Sequence, residues 1–239
     1  MRASPANSVA SPQSITPMAL FQLDSQNIVA RARASGGAVQ PPTLTESVLR
    51  GICGFTVVSV AGFAPWPIFE RWFRSMGEMD LYIACLAMFI GLSGVCLHRL
   101  IIGPGSLPRF YKLFSLAFTA YAAAWVALWV CLRGDSGSIA GLLGGAMAMG
   151  LVLSFAFDAP RAIVKVVAAL FVLNALGYYL GGRIAGKLAI DHRALGMLLW
   201  GVCYGIGLGA GLGFAFYFCQ ERARSVLREE SVPPRSNAV

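Results

Sequence analysis

Few side chains within the long apolar stretches of this chain can hold a proton, a ligand or a charge. Asp158, Arg161 and Lys165 gather at the border of one such stretch. Charge carried into a membrane is costly, so the cluster reads as an interfacial group that fixes helix depth, with a proton or ion site as the sharper alternative. Lys165 fits the first reading, because its long stem can reach back to water. Asn174 lies near the middle of the same stretch and predicts a hydrogen bond between helices, worth about 0.6–2 kcal/mol, with a ligand contact as the alternative. Thr56, Ser59, Ser93 and Tyr178 would complete a polar lining, although Ser and Thr can also satisfy a hydroxyl on a carbonyl one turn back. The six cysteines lie in or at the ends of apolar stretches, without a CxxC spacing or a Cys/His cluster, so no metal site is expected. Cys219, where the last stretch meets polar sequence, is a candidate for palmitoylation. No cofactor is implied, since the glycines of 205–213 do not form a GxGxxG turn after a strand.

Gly91-Leu92-Ser93-Gly94 resembles the GxSG nucleophile motif of rhomboid intramembrane proteases. The resemblance covers these four residues. It implies a six-helix core and a serine paired with a histidine on a later helix, which would make Ser93 a nucleophile. The candidate bases are His98 and His192. His98 is five residues along the same helix, about 140° around it from Ser93. His192 precedes the sixth apolar stretch on the far side, about 20 Å from Ser93, where a nucleophile and base need about 3 Å. The motif also falls on the second stretch, where the family carries it on the fourth. Non-enzymatic readings are therefore preferred.

The elements that must position these residues are all helical. Of 239 residues, 57% are hydrophobic and 13% charged. That is half the charge of a soluble domain, and apolar runs of this length signal membrane spans. The expected fold is an all-α membrane protein, a six-transmembrane-helix bundle with glycine- and alanine-rich helix interfaces. The spans are about 44–64, 80–99, 111–132, 138–157, 161–182 and 194–219. Thr43 and Glu46 form a capping box for the first span. Pro65 and Pro67 end it, with Trp66 and Trp72 at the interface. Asp158 is placed to cap the fifth, with Pro160 in its first turn. Phe114, Phe118, Tyr121, Trp125 and Trp129 share one face of the third.

Glycine spacing supplies the packing argument. Gly201, Gly205, Gly209 and Gly213 fall four apart on the sixth span, with Gly207 and Gly211 in a neighbouring row. Gly141 and Gly145 repeat the spacing on the fourth, and Gly177 and Gly181 on the fifth. In water this glycine content would melt a helix, at about 1 kcal/mol per residue. In lipid the backbone has no solvent to bond to, so the helix persists and the glycines become a groove for a neighbour.

Residues 1–42, rich in Ser, Ala and Pro, are expected to be a disordered cytoplasmic tail without a secretory signal core, with an organelle transit peptide as alternative. Residues 220–239 are expected to be a cytoplasmic tail that begins as a short helix. With six spans, thirteen of the 19 basic residues fall on the side of the termini, placing both in the cytoplasm. The net charge of +8 then reads as topology and contact with anionic lipid, and nucleic acid is not an expected partner. The expected function is that of an assembly or scaffold component of a membrane, bacterial cytoplasmic or organellar, with other membrane proteins or a homo-oligomer as partners besides lipid. The alternatives are a transporter or channel for a small, weakly polar solute and, last, an intramembrane enzyme.

Overall fold

The computed structural model describes residues 21–36, 40–65, 67–68 and 78–231. Trp66, Trp72 and the first 20 residues, on which sequence expectations were placed, lie outside them. Helix is the regular structure throughout the described residues: α1 (Ser25–Ala34), α2 (Leu44–Phe63), α3 (Glu78–Leu97), α4 (Ser106–Leu132), α5 (Gly134–Ala156), α6 (Ile163–Leu188), α7 (Arg193–Cys219) and α8 (Glu221–Ser231). Six of the helices, α2 to α7, are long and apolar enough to cross a membrane.

These six form a closed ring. Each packs against its sequence neighbours, and α7 closes the ring by packing on α2. Successive helices run in opposite directions, so one end of the ring gathers the start of α2, the α3–α4 and α5–α6 connections and the end of α7. We call this the terminal end, because α1 and α8 pack on each other there. The core is aromatic. Phe110, Phe114, Phe118 and Tyr121 stack along α4 at centroid spacings of 5.2, 5.3 and 5.8 Å. Phe55 of α2 and Phe89 of α3 pack on Phe118 of this stack, and Tyr204 of α7 packs on Phe55 and Phe89. The stripe read from the sequence is thus split: its lower half is buried, while Trp129 is exposed.

The helix ends follow local chemistry. Thr43 and Glu46 make the reciprocal capping box: the Glu46 amide donates to Thr43 Oγ1 at 3.2 Å, and the Thr43 amide donates to Glu46 Oε2 at 2.9 Å. Three expectations are corrected. The connection expected between the spans 111–132 and 138–157 shrinks to Arg133, whose φ of 54° with Gly134 at 57° reverses the chain, so α5 begins at Gly134. Asp158 does not cap α6. It adopts φ 53° at the end of α5, and the Ala159 amide reaches back to the Ser154 carbonyl at 2.8 Å. That closure needs a left-handed residue, which Asp tolerates, and it uses Asp158 up.

The third correction concerns the N-terminal segment. Residues 1–42 are not disordered throughout, because residues 25–34 form α1. Asp24 caps it, accepting from the Asn27 amide at 3.0 Å. Leu23, Ile28, Val29 and Ala32 are buried in the common core with Ala223 and Leu227 of α8. Ten residues of low hydrophobicity make a marginal helix alone, so docking supplies its stability.

Candidate functional site

Two polar clusters stand out, one at mid-bundle and one at the terminal end. At mid-bundle, the Asn174 side-chain amide donates to the Tyr121 hydroxyl at 2.8 Å, from α6 to α4. The Tyr204 hydroxyl of α7 approaches Tyr121 at 3.3 Å. All three residues are buried, and Asn174 is 0% exposed. Among the described residues the carbonyl oxygen of Asn174 has no donor, and the buried hydroxyls of Thr56, Ser59 and Ser93 have no partners. Asn174 therefore joins helices. Thr56 and Ser59 lie on α2 where Gly205 of α7 passes, and Tyr178 packs its ring between Trp125 and Trp200. Ser93 does not meet a histidine: His98 Nδ1 lies 2.9 Å from Ser106 Oγ. The two tyrosines were absent from the sequence-derived lining. Tyr121 lies 53 residues from Asn174, so no local spacing marks the pair.

The glycines lie at close helix approaches. A Cβ added to Gly213 would fall 2.6 Å from Val48 Cα, one on Gly209 3.0 Å from Ile52 Cα, and one on Gly205 2.6 Å from Thr56 Cα. On Gly201 it would meet Phe63 Cβ at 3.3 Å. The second row of α7 faces α6: a Cβ on Gly207 would lie 3.0 Å from Gly177 Cα, and one on Gly211 3.1 Å from Leu170 Cα. Gly177 meets the Cys203 carbonyl, and Gly181 would meet Trp200 Cα at 3.0 Å. Gly141 and Gly145 of α5 face Trp125 and Tyr121 of α4.

At the terminal end, Gln220 is 3% exposed and fully engaged. Its Oε1 accepts from the Ile102 amide at 2.9 Å, and its Nε2 donates to the carbonyls of Leu100 at 2.8 Å and Phe216 at 2.9 Å. It thereby ties the α3–α4 connection to the end of α7. Arg224 is buried with its guanidinium 3.1 Å from the centre of the Tyr217 ring. Burial pushes this guanidinium below its ordinary range, while Tyr217 and Glu221 oppose the shift. Arg33 of α1 pairs with Glu230 of α8 on the surface. That hydrogen bond raises the Arg33 pKa and lowers that of Glu230. Gln220 and Arg224 both fall in the segment 220–239, which the sequence predicts to be a cytoplasmic tail beginning as a short helix, and both are buried. Cys219 is buried, so its thiol is not presented for acylation.

Asp158, Arg161 and Lys165 come together, but without ion pairing among the described residues. They line a cavity of about 870 Å³ at the terminal end, with Phe157, Phe218, Glu221 and Arg222. Lys165 Nζ lies 5.4 Å from the centre of the Phe218 ring. Among the described residues no group of His, Cys, Asp and Glu could hold a metal ion. Comparison with known proteins finds no matching family model, no similar curated protein and no similar solved structure.

Proposed function

We propose that this chain is a multi-pass integral membrane protein that works as a non-enzymatic scaffold, presenting its terminal end to partners in or on the membrane. The observation that carries this is the contrast between seam and perimeter. Along the α2–α7–α6 seam, backbone meets backbone at Gly209 and Gly51, Gly205 and Thr56, and Gly207 and Gly177. Packing of that kind substitutes for the hydrophobic effect where the surroundings are apolar, and it holds helices in one register. The perimeter exposes Val57, Val95, Leu176 and Leu180, in keeping with a lipid surround. The excess of Lys and Arg on the terminal side favours a cytoplasmic placement for that end, in a bacterial cytoplasmic or an organellar membrane. The test is purification of the full chain in mild detergent with identification of what co-purifies. A stoichiometric membrane-protein partner supports the scaffold; a fraction found outside membranes overturns it.

A second reading, passage of a small weakly polar solute, is favoured by one observation. The Asn174 carbonyl oxygen and the hydroxyls of Thr56 and Ser59 are buried without hydrogen-bond partners among the described residues. Such groups cost about 1–3 kcal/mol each unless something satisfies them. Solute flux into proteoliposomes that stops on Asn174→Leu supports this reading, and flux identical to that of empty vesicles removes it.

A further inference from the structure

We propose that the terminal-end cavity between the α5–α6 connection and the α7–α8 junction holds the phosphate-bearing headgroup of an anionic phospholipid. The inference rests on the membrane reading above and names a ligand for one part of that surface.

Three observations meet at this cavity. The first is charge without neutralisation. Arg161, Lys165 and Arg222 line it, and none has a carboxylate within ion-pair range among the described residues, although Asp158 and Glu221 stand on the same wall. Three unpaired cations converging on one hollow form an anion site, and basic pockets between spans on the cytoplasmic side suit phospholipid headgroups. The second is the apolar floor. Phe157 is buried beneath the cavity, and Phe218 carries the Lys165 ammonium 5.4 Å from its ring centre. A freely soluble phosphate gains nothing from such a floor, whereas a glycerol backbone does. The third is the apolar outer surface carried by neighbouring residues. Val164, next to Lys165, is 78% exposed, and Phe155, at the end of α5, is 49% exposed. Acyl chains leaving the cavity would run along these side chains. The cavity also lies where the segments Pro160–Leu188 and Arg193–Cys219 begin and end, at the boundary between apolar and polar sequence. Its 870 Å³ falls within the 300–1,000 Å³ or so of ordinary ligand pockets.

The test uses the full chain in a neutral detergent, with its thermal unfolding midpoint read against added lipid. Dioleoyl phosphatidylglycerol at a hundredfold excess over its dissociation constant is expected to raise the midpoint by about 5–10 °C. Dioleoyl phosphatidylcholine and inorganic phosphate at the same concentration are expected to leave it in place. Arg161→Gln/Lys165→Gln/Arg222→Gln is expected to lose most of the shift, while Arg133→Gln/Lys187→Gln, at the other end of the ring, keeps it. Asp158→Asn is expected to enlarge the shift, because it removes a negative charge from the wall, and Asn accepts the same left-handed backbone. An equal shift with phosphatidylcholine or with phosphate alone overturns the proposal, as does a triple variant that responds like the unaltered chain. Should the triple variant not fold, Asp158→Asn decides: an unchanged or smaller shift overturns the assignment. A chain that sediments with membranes but shows no preference for phosphatidylglycerol removes this inference and leaves the scaffold reading standing; a chain found outside membranes removes both.

Discussion

The two ends of the helix ring are built differently. At the terminal end, α1 and α8 pack on each other and into the core, Gln220 makes three hydrogen bonds, and Leu100, Ile101 and Ile102 of the α3–α4 connection are buried. Among the described residues of the opposite end, 131–136 and 191–195 are all exposed. The α7–α2 seam grades the same way. The nearest atoms to a Cβ on Gly213 lie 2.5–2.9 Å away, whereas those to one on Gly201 lie 3.3–3.4 Å away. Among the described residues, cohesion is concentrated where the 870 Å³ cavity and most of the basic residues also lie. The described connections of the other end are exposed.

The comparison can be broken most forcefully on the seam. Gly205→Leu/Gly209→Leu drives side chains into the backbone of Thr56 and Gly51, and it is expected to cost about 3 kcal/mol or more, seen as loss of folded protein in detergent. Unchanged yield and thermal stability would dissolve the seam argument. Next comes the latch. Gln220→Leu leaves the Ile102 amide and the Leu100 carbonyl buried without partners, an expected loss of about 2–3 kcal/mol by thermal unfolding. At the opposite end, inserting four glycines between Ile190 and Asp191 is expected to leave the unfolding midpoint within error. A larger effect there than at Gln220 would reverse the contrast.

Mid-bundle, Asn174→Leu removes one interhelical hydrogen bond but also an orphaned carbonyl oxygen, so the expected cost is about 1 kcal/mol or less in a detergent melt. The smallest effect is on pH. Glu230 has a lowered pKa through its hydrogen bond to Arg33, so its stabilising contribution is present above the ordinary carboxylate range and lost as pH falls through it. At Asp24 burial pushes the pKa up, but the Asn27 hydrogen bonds outweigh it and the net shift is also downward, so the sign is the same. The exchange protection factor of α1, corrected for the intrinsic pH dependence of amide exchange, is therefore expected to fall as pH drops below the ordinary carboxylate range, ahead of those of α6 and α7. An equal fall in protection in all three helices would contradict a separately docked α1.

Much of the helix pattern was legible because uninterrupted apolar runs and i, i+3 capping are local signals. The Thr43–Glu46 box is visible within four residues, and the six long helices lie close to the apolar stretches. The misses have a common cause. Asp158-Ala-Pro160 suits a helix start as well as it suits the left-handed close of the preceding helix, and the backbone bond to Ser154 decides between them. The α1 segment is too short and polar to declare itself, because its burial comes from α8, nearly two hundred residues away in sequence. Gln220 follows an apolar run and reads as the start of a solvated tail, until Leu100 and Ile102 are folded against it. Spacing placed Gly201 to Gly213 on one face, but which helix meets that face is a property of ring closure.

The most direct measurement is an alanine series along that face, one glycine at a time, at Gly213, Gly209, Gly205 and Gly201, with unfolding free energy read in a single detergent. The account predicts a loss that is largest at Gly213, where the Cβ falls 2.6 Å from Val48 Cα, and smallest at Gly201, where the nearest atom is 3.3 Å away. A flat series, a reversed one, or a gain in stability at Gly213 would contradict it.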